Sequence, residues 1–101
     1  MTEQSAWPQS QLLGRELDPA ELDDSGLYMT IHVGGALDGD VTLEADLDTR
    51  LVTVTARWVT GNIPSQESTS GMPMDDAEAL AAQWADELAA GHEPQPAEKR
   101  P

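Results

Sequence analysis

Histidine and carboxylate side chains occur together in the middle of the chain, and such a pair can perform general acid–base catalysis. His32 lies in one alternating segment, and Glu44 and Asp46 lie in the next. Neighbouring antiparallel strands would place these residues side by side. No third residue that would orient the pair can be identified, and a one-sided sheet presents the same polar alternation to water. We therefore predict a solvated sheet face and a protein that is not an enzyme.

Acidic residues crowd the same hairpin, where carboxylates could coordinate a divalent cation. A calcium-binding loop has ligands at fixed positions, a glycine at the turn and a bidentate glutamate at its end. Residues 38–44 do not match this spacing, so we expect weak, unspecific cation binding and no dedicated metal site. The acidic residues of this hairpin are Asp38, Asp40, Glu44, Asp46 and Asp48.

Further classes of site are excluded by what the chain lacks. It has no cysteine, which rules out disulfides, thiolate catalysis and cysteine-based metal sites. The pair Gly34-Gly35 has no lysine or arginine nearby to hold a phosphate group, and it predicts a flexible hairpin loop. The serines and threonines of residues 65–70 have no histidine near them in the sequence and indicate a linker. We expect no cofactor.

The charge balance is strongly acidic. The chain has 19 acidic and 5 basic residues among 101, which gives a net charge of −14. Lys99 and Arg100 lie in the Pro-rich tail, so the excess of carboxylates falls on residues 1–90. A surface of this kind repels phosphate groups and anionic lipids and attracts basic partners. We therefore expect a protein partner with a basic surface, no direct binding to nucleic acid and no binding to membranes.

Three consecutive segments alternate apolar and polar residues with the period of two that marks strands with one buried face. Short connections between them favour antiparallel pairing, so the sequence predicts a three-stranded antiparallel β-meander. Its outward positions include Tyr28, His32 and Arg57, which are possible contacts for a partner. Residues 60–74 are rich in Ser, Thr, Gly and Pro and predict a connector. The three segments are residues 27–33, 41–47 and 52–58.

A C-terminal helix is predicted after the connector. Asp75 would begin it, with Glu78 completing a capping box, and Gly91 would end it. The apolar residues between these ends fall on one stripe, which must cover the inner face of the sheet. The predicted fold class is α+β, with one C-terminal helix packed on one face of the sheet. The stripe consists of Ala77, Leu80, Ala81, Trp84 and Leu88.

The chain divides into an arm, a domain and a tail. Residues 1–25 predict a partly ordered N-terminal arm, with a short helix over residues 19–24 and leucines that dock on the body. Residues 26–90 form the βββα domain, and residues 91–101 form a disordered Pro-rich tail. No secretory signal is recognisable, and no apolar stretch approaches the ~20 residues that span a membrane. We therefore expect a cytoplasmic protein.

The predicted order of helix, three strands and helix, over about residues 9–90, resembles that of the double-stranded-RNA-binding domain. The second helix of that family opens with lysines that hold phosphate groups. In this chain the corresponding residues are Asp75, Asp76 and Glu78. Carboxylates suit the N-terminus of a helix and oppose RNA. The resemblance concerns the order of the elements, and we expect no RNA binding.

Three functions are compatible with these features. The first is a small acidic protein-protein interaction module, encoded by a phage or mobile element, which could form a homodimer through a sheet edge. The second is a nucleic-acid mimic that inhibits a DNA- or RNA-binding protein, which requires carboxylates aligned on one side. The third is an assembly component that uses its N-terminal arm. The acidic surface available to a partner consists of Asp38, Asp40, Glu44, Asp46, Asp48, Asp75, Asp76 and Glu78.

Overall fold

Four consecutive strands and one helix make up the body of the chain in a computed structural model, which describes residues 9–18, 20, 22 and 24–95. Strands β3 to β6 form an antiparallel sheet in sequence order, and β1 and β2 pair with each other as a separate small hairpin. Helix α1 packs on one face of the sheet, across β5, β4 and β3. The elements are β1 (Gln9–Ser10), β2 (Arg15–Glu16), β3 (Leu27–Val33), β4 (Gly39–Ala45), β5 (Val52–Thr60), β6 (Ile63–Met72) and α1 (Met74–Ala90).

The hydrophobic core lies between α1 and the sheet, so the predicted α+β class with a C-terminal helix packed on a sheet is confirmed. Alternate residues of β4 and β5 are buried, as their period of two predicts. All five residues of the predicted helix stripe are buried, and all except Leu80 are completely so. Each large apolar side chain buried in this way contributes about 1.5–3 kcal/mol to folding.

The prediction of three strands was wrong, because residues 60–74 are not a connector. Most of that segment forms β6, which pairs with β5 along its length. The two strands meet at a two-residue turn, Gly61–Asn62, in which Gly61 has a φ of +64°. A Gly-Asn pair is a hairpin signal, since glycine readily adopts positive φ. The helix does not extend over β6, so this strand lacks the apolar alternation by which the other three were recognised.

A β-bulge changes which face Tyr28 occupies. Leu27 pairs with Glu44 and Met29 pairs with Leu43, so Tyr28 is an extra residue between them. The bulge turns the Tyr28 side chain towards the helix, where it packs against the core. The predicted position of Tyr28 on the outer face was therefore wrong. Leu27, predicted to face inward, shares the outer face with Glu44.

The turn between β4 and β5 begins earlier than the alternation predicts. Leu47, expected on the inner face, lies in this turn and is 51% exposed. The Asp46 carboxylate accepts hydrogen bonds from the backbone N–H groups of Asp48 (2.8 Å) and Thr49 (3.3 Å). Arg50 completes the turn with a φ of +63°. An aspartate side chain that accepts hydrogen bonds from backbone N–H groups a few residues later in the chain stabilises such a turn. The strand therefore ends at Ala45.

The ends of α1 are fixed by backbone groups. The predicted capping box was wrong: Pro73 is the N-cap residue, and no side chain caps the first turn. At the other end the N–H groups of Gly91 and His92 donate to the carbonyls of Leu88 (3.0 Å) and Glu87 (2.7 Å). This pattern, with Gly91 at a φ of +90°, is a Schellman motif.

The Gly34-Gly35 loop also contributes to the end of the helix. The N–H groups of Ala36 and Leu37 donate to the carbonyls of Ala89 (3.2 Å) and Leu88 (3.0 Å). A Cβ atom on Gly35 would lie 2.8 Å from the Ala89 carbonyl oxygen. The loop predicted to be flexible is therefore held against the C-terminus of α1.

The arm and the tail are only partly described. Residues 9–16 form the β1–β2 hairpin. Of the helix predicted over residues 19–24, residues 19, 21 and 23 lie outside the described residues. Residues 91–95 return to the body, because Trp84 Nε1 donates to the Gln95 carbonyl at 3.0 Å and Pro94 is buried. Residues 96–101 lie outside the described part. Within the described ranges, no helix has the length and apolar character needed to cross a membrane.

Two glycines with nearly equal φ values provide a matched test of the packing. Gly26 (φ +77°) leaves no room for a Cβ atom, which would lie 2.1 Å from the Ala45 carbonyl oxygen, whereas Gly14 (φ +75°) has nothing within 4 Å. We expect Gly14→Ala to lower the free energy of unfolding by about 1–2 kcal/mol through backbone strain. Gly26→Ala adds a steric clash and should cost about 1–3 kcal/mol more. If urea unfolding shows that Gly14→Ala and Gly26→Ala lower the free energy of unfolding equally, the result would contradict this packing.

Candidate functional site

The face of the sheet opposite α1, here called the outer face, carries polar side chains in two rows across the four strands. Paired residues in neighbouring strands share a face, so the register of the sheet determines each row. Both rows run from β3 to β6 and lie next to each other. The first row is His32, Asp40, Arg57 and Gln66, and the second is Thr30, Thr42, Thr55 and Ser68.

The first row brings together groups that the sequence did not pair. His32 lies opposite Asp40, and Asp40 lies opposite Arg57. The predicted pairing of His32 with Glu44 or Asp46 was wrong, because Glu44 lies opposite Leu27 and Asp46 lies beyond the strand. Asp40 Oδ1 is buried and has no hydrogen-bond partner among the described residues. This oxygen is closed to solvent, so it offers no acceptor to a donor that approaches the outer face.

A shallow depression of about 470 Å³ adjoins the first row at the end of β5 and β6. Arg57, Asp40 and the exposed Asp38 supply its charged groups. Val59 and Pro64 supply apolar surface. Val59 is 49% exposed, although it is a large hydrophobic residue. The depression therefore combines a cation, two carboxylates and apolar contact area, which suits a side chain with a long apolar stem and a polar head.

The other end of the outer face is acidic. Asp24, Glu44 and Asp48 line a second depression of about 480 Å³, together with Asp46. The Asp46 carboxylate is already engaged in its own turn. In the described part of the chain, no group of three or more histidine, aspartate or glutamate side chains is arranged to hold a metal ion. This end can attract cationic groups through its net charge.

The remaining exposed carboxylates of the predicted acidic surface lie on the helix. Asp75 and Asp76 occupy the first turn of α1 and are exposed. The positive end of the helix dipole stabilises carboxylates at this position. Because α1 covers the inner face of the sheet, these two residues lie on the side of the molecule away from Asp40 and Glu44. The predicted acidic residues therefore do not form one continuous surface.

Glu78, predicted to be part of the acidic surface, is buried, and only 2% of its surface is exposed. Its Oε1 atom accepts hydrogen bonds from the backbone N–H groups of Gln11 (2.7 Å) and Leu12 (3.2 Å). Its Oε2 atom accepts hydrogen bonds from the hydroxyls of Ser10 and Tyr28, the latter at 2.8 Å. Its assignment to a partner-binding surface is therefore corrected: the carboxylate joins α1 to β3 and to the N-terminal hairpin.

The group of Glu78, Ser10 and Tyr28 is closed to reactants. Ser10 is completely buried, and its Oγ atom also accepts a hydrogen bond from the Leu13 N–H at 3.0 Å. A nucleophile must contact its substrate, and this hydroxyl reaches no solvent. The arrangement fixes the hairpin in place and positions no reacting group. Sequence reasoning missed it, although one signal existed: Glu78 follows Met74 by four residues, at the edge of the buried stripe.

Comparisons with known proteins do not assign this chain to a family. A scan against protein-family models found no matching family, and searches of curated proteins and of solved structures found no match. The outer face and the free edges of the sheet are the surfaces that α1 leaves uncovered, and they are therefore the candidate binding surfaces.

The hydroxyl of Tyr28 provides a pH-dependent test of the Glu78 contact. Burial raises the pKa of Tyr28 above its ordinary value of 10.0, and the hydrogen bond and the charge of Glu78 raise it further. A group with a raised pKa stabilises the fold fully below its ordinary pKa and loses this contribution as the pH rises. We expect the free energy of unfolding to fall above pH of about 10.

Because Tyr28 is the one tyrosine in the chain, the absorbance of tyrosinate reports on it alone. We expect this absorbance to appear together with unfolding, as followed by circular dichroism. Tyr28→Phe serves as the control and should remove this part of the alkaline dependence. Formation of tyrosinate near pH 10 in a protein that stays folded would contradict the contact.

Proposed function

We propose that this protein is a non-catalytic binding module that docks a basic protein partner on the outer face of its sheet. The observation that carries the proposal is the unequal covering of the two faces. Helix α1 covers the inner face, while the outer face presents the two polar rows, with Asp40 in the first and Glu44 next to the second. Sheets that only contact water also have such a polar face. The proposal therefore depends in addition on a charge pattern that favours a partner.

The electrostatics of the outer face favour a basic partner. Its first row has Arg57 as the basic group beside Asp40, and its other end carries Glu44, Asp46 and Asp48. Together with the net charge of −14, these groups raise the association rate of a positively charged protein. His32 and Arg57 remain possible contacts on this face.

The other two functions receive less support. A nucleic-acid mimic requires carboxylates aligned like a phosphate backbone, whereas Asp75 and Asp76 lie on the side away from the outer face. An assembly arm requires a free N-terminal segment, whereas Ser10 and Leu17 are buried in the body. A basic protein partner is therefore the function that the geometry supports best.

Two pairs of carboxylates with the same formal charge provide the experiment. Asp40→Asn/Glu44→Gln removes two charges from the outer face, and Asp75→Asn/Asp76→Asn removes two from the helix. Wild-type protein captures partners from a bacterial lysate, and the affinity of the captured protein for each variant is then measured by calorimetry. We expect the outer-face variant to bind about tenfold more weakly, or about 1.4 kcal/mol, and the helix variant to bind almost normally.

The contrast between the two variants decides the outcome. Equal weakening of both would mean that binding depends on net charge alone. Weakening of the helix variant only would place the partner on the other side of the molecule. Both results would contradict the proposal, as would the capture of no basic protein. Urea unfolding of each variant serves as the control that the substitutions leave the fold intact.

A further inference from the structure

Strand β6 forms one edge of the sheet and pairs with β5 on one side only. It is ten residues long, and no lysine or arginine lies on it. Exposed edges of this length offer unpaired N–H and C=O groups to any extended chain, and proteins usually blunt them with lysine, proline, bulges or inward charges. On β6, Pro64 lies near one end, and a bulge precedes Met72 at the other. Between them Glu67 is an inward-facing charge, which opposes any added strand that lacks a compensating cation. The middle of the strand, residues 65–69, has a regular ladder on its β5 side.

The turn determines which backbone groups of β6 face outward. Thr60 and Ile63 flank the two-residue turn, so they exchange both ladder hydrogen bonds. Hydrogen-bonded and non-hydrogen-bonded pairs then alternate along the two strands. Pro64, which has no N–H, falls at a position where none is needed. By the same alternation Ser65 and Glu67 bond to β5, whereas Gln66 and Ser68 direct their N–H and C=O groups away from the sheet. The pairing of β6 with β5 continues without a bulge to Thr69.

Glu67 lies in the centre of this open segment, between the two outward-facing residues. It pairs with Ala56, so its side chain lies on the inner face, where the helix does not extend over β6. The side chain is half-buried, and it forms no hydrogen bond or ion pair with another described residue. A cationic side chain on a neighbouring strand would meet this carboxylate directly, because paired residues of adjacent strands lie side by side.

We propose that an extended segment of a protein partner adds to β6 as a fifth strand and places a lysine or arginine beside Glu67. The proposal rests on the proposed function, since it specifies how a basic partner binds. Backbone hydrogen bonds to Gln66 and Ser68 provide the affinity, and the Glu67 carboxylate selects a basic residue on the inner face. The polar side chains of Gln66 and Ser68 continue the two rows of the outer face, so both surfaces serve one partner.

A second copy of the chain is a poorer occupant of this edge. In a symmetric antiparallel pair, the register that uses Gln66 and Ser68 of both copies places Glu67 directly opposite its equivalent. Like charges in this position are destabilising. Each copy also carries a net charge of −14. A register centred on Gln66 brings Ser68 opposite Pro64, which cannot donate. Charge therefore favours a basic segment over a second copy.

The experiment uses a synthetic peptide of alternating threonine and lysine as the probe, since this sequence is extended and carries its charges on one face. Isotope-labelled full-length protein is titrated with the peptide, and amide chemical shifts are followed by nuclear magnetic resonance. Ser68→Pro removes an outward N–H without touching the β5–β6 ladder, and Ser68→Ala is the matched control that keeps it. Glu67→Gln tests the charge.

We expect the largest shift changes at Gln66 and Ser68, with binding at least about tenfold weaker for Ser68→Pro and within about twofold for Ser68→Ala. Glu67→Gln should weaken binding, and a peptide with glutamate in place of lysine should not bind. A lysine peptide methylated on its backbone nitrogens should bind at least about tenfold more weakly to the wild-type protein. This last comparison needs no variant of the protein, so it decides the question even where Ser68→Pro does not fold.

Four results would overturn strand addition. Equal binding of Ser68→Pro and Ser68→Ala would show that the β6 backbone is not used. Shift changes confined to Asp40, Glu44 and their neighbours would locate the peptide on the outer face, which overturns strand addition while leaving the proposed function in place. Broadening that depends on protein concentration alone would indicate a second copy as the occupant. Absence of any shift change at millimolar peptide overturns strand addition, and the Asp40→Asn/Glu44→Gln comparison then judges the proposed function separately.

Discussion

The buried Glu78 carboxylate is the interaction on which the remaining structure depends. A carboxylate taken out of water is costly unless hydrogen bonds replace its hydration. Here the N–H groups of Gln11 and Leu12 and the hydroxyls of Ser10 and Tyr28 provide that replacement. Hydrogen bonds to a charged acceptor are stronger than neutral ones. One side chain of α1 thereby fixes a hairpin that lies 68 residues earlier in the chain.

Closure of the helical side explains where binding surfaces remain. The N-terminal hairpin, α1 and the return of residues 91–95 all contribute to the inner side, and Leu17 joins the core there. These elements leave the outer face and the two edge strands of the sheet, β3 and β6, uncovered, and the binding proposals concern the outer face and the β6 edge. An account in which carboxylates serve only solubility would treat all of them alike. The structure instead separates Glu78, which is internal and structural, from the exposed carboxylates of the outer face and of the first helical turn.

The sequence predicts the elements that bury apolar side chains and fails for those that do not. Burial of β4 and β5 under α1 requires an apolar residue at every second position, and that period is visible in the chain. Strand β6 has Ser65, Glu67 and Thr69 on its inner face, because the helix does not reach them, so no period remains. Its only signal is the Gly61-Asn62 turn.

The candidate site is predictable to the same limited extent. The polar outer face follows from alternation, which correctly placed His32 and Arg57 on it. The register of the rows does not follow, because it depends on the bulge at Tyr28 and on the early turn at Asp46. The Glu78 contact joins segments distant in sequence, and the local pattern shows only that Glu78 lies at the edge of the buried stripe, without naming its partners. Its carboxylate therefore looked like one more surface charge.

Amide hydrogen exchange in the wild-type protein tests the central claim most directly. The N–H groups of Gln11 and Leu12 lie near the N-terminus, outside any long strand, and their acceptor is the buried Glu78 carboxylate. If this contact holds the hairpin, both amides exchange far more slowly than in an unfolded peptide, and Glu78→Ala abolishes their protection while the amides of β4 and β5 stay protected. Exchange of both amides at the unfolded rate in the wild-type protein would contradict the account.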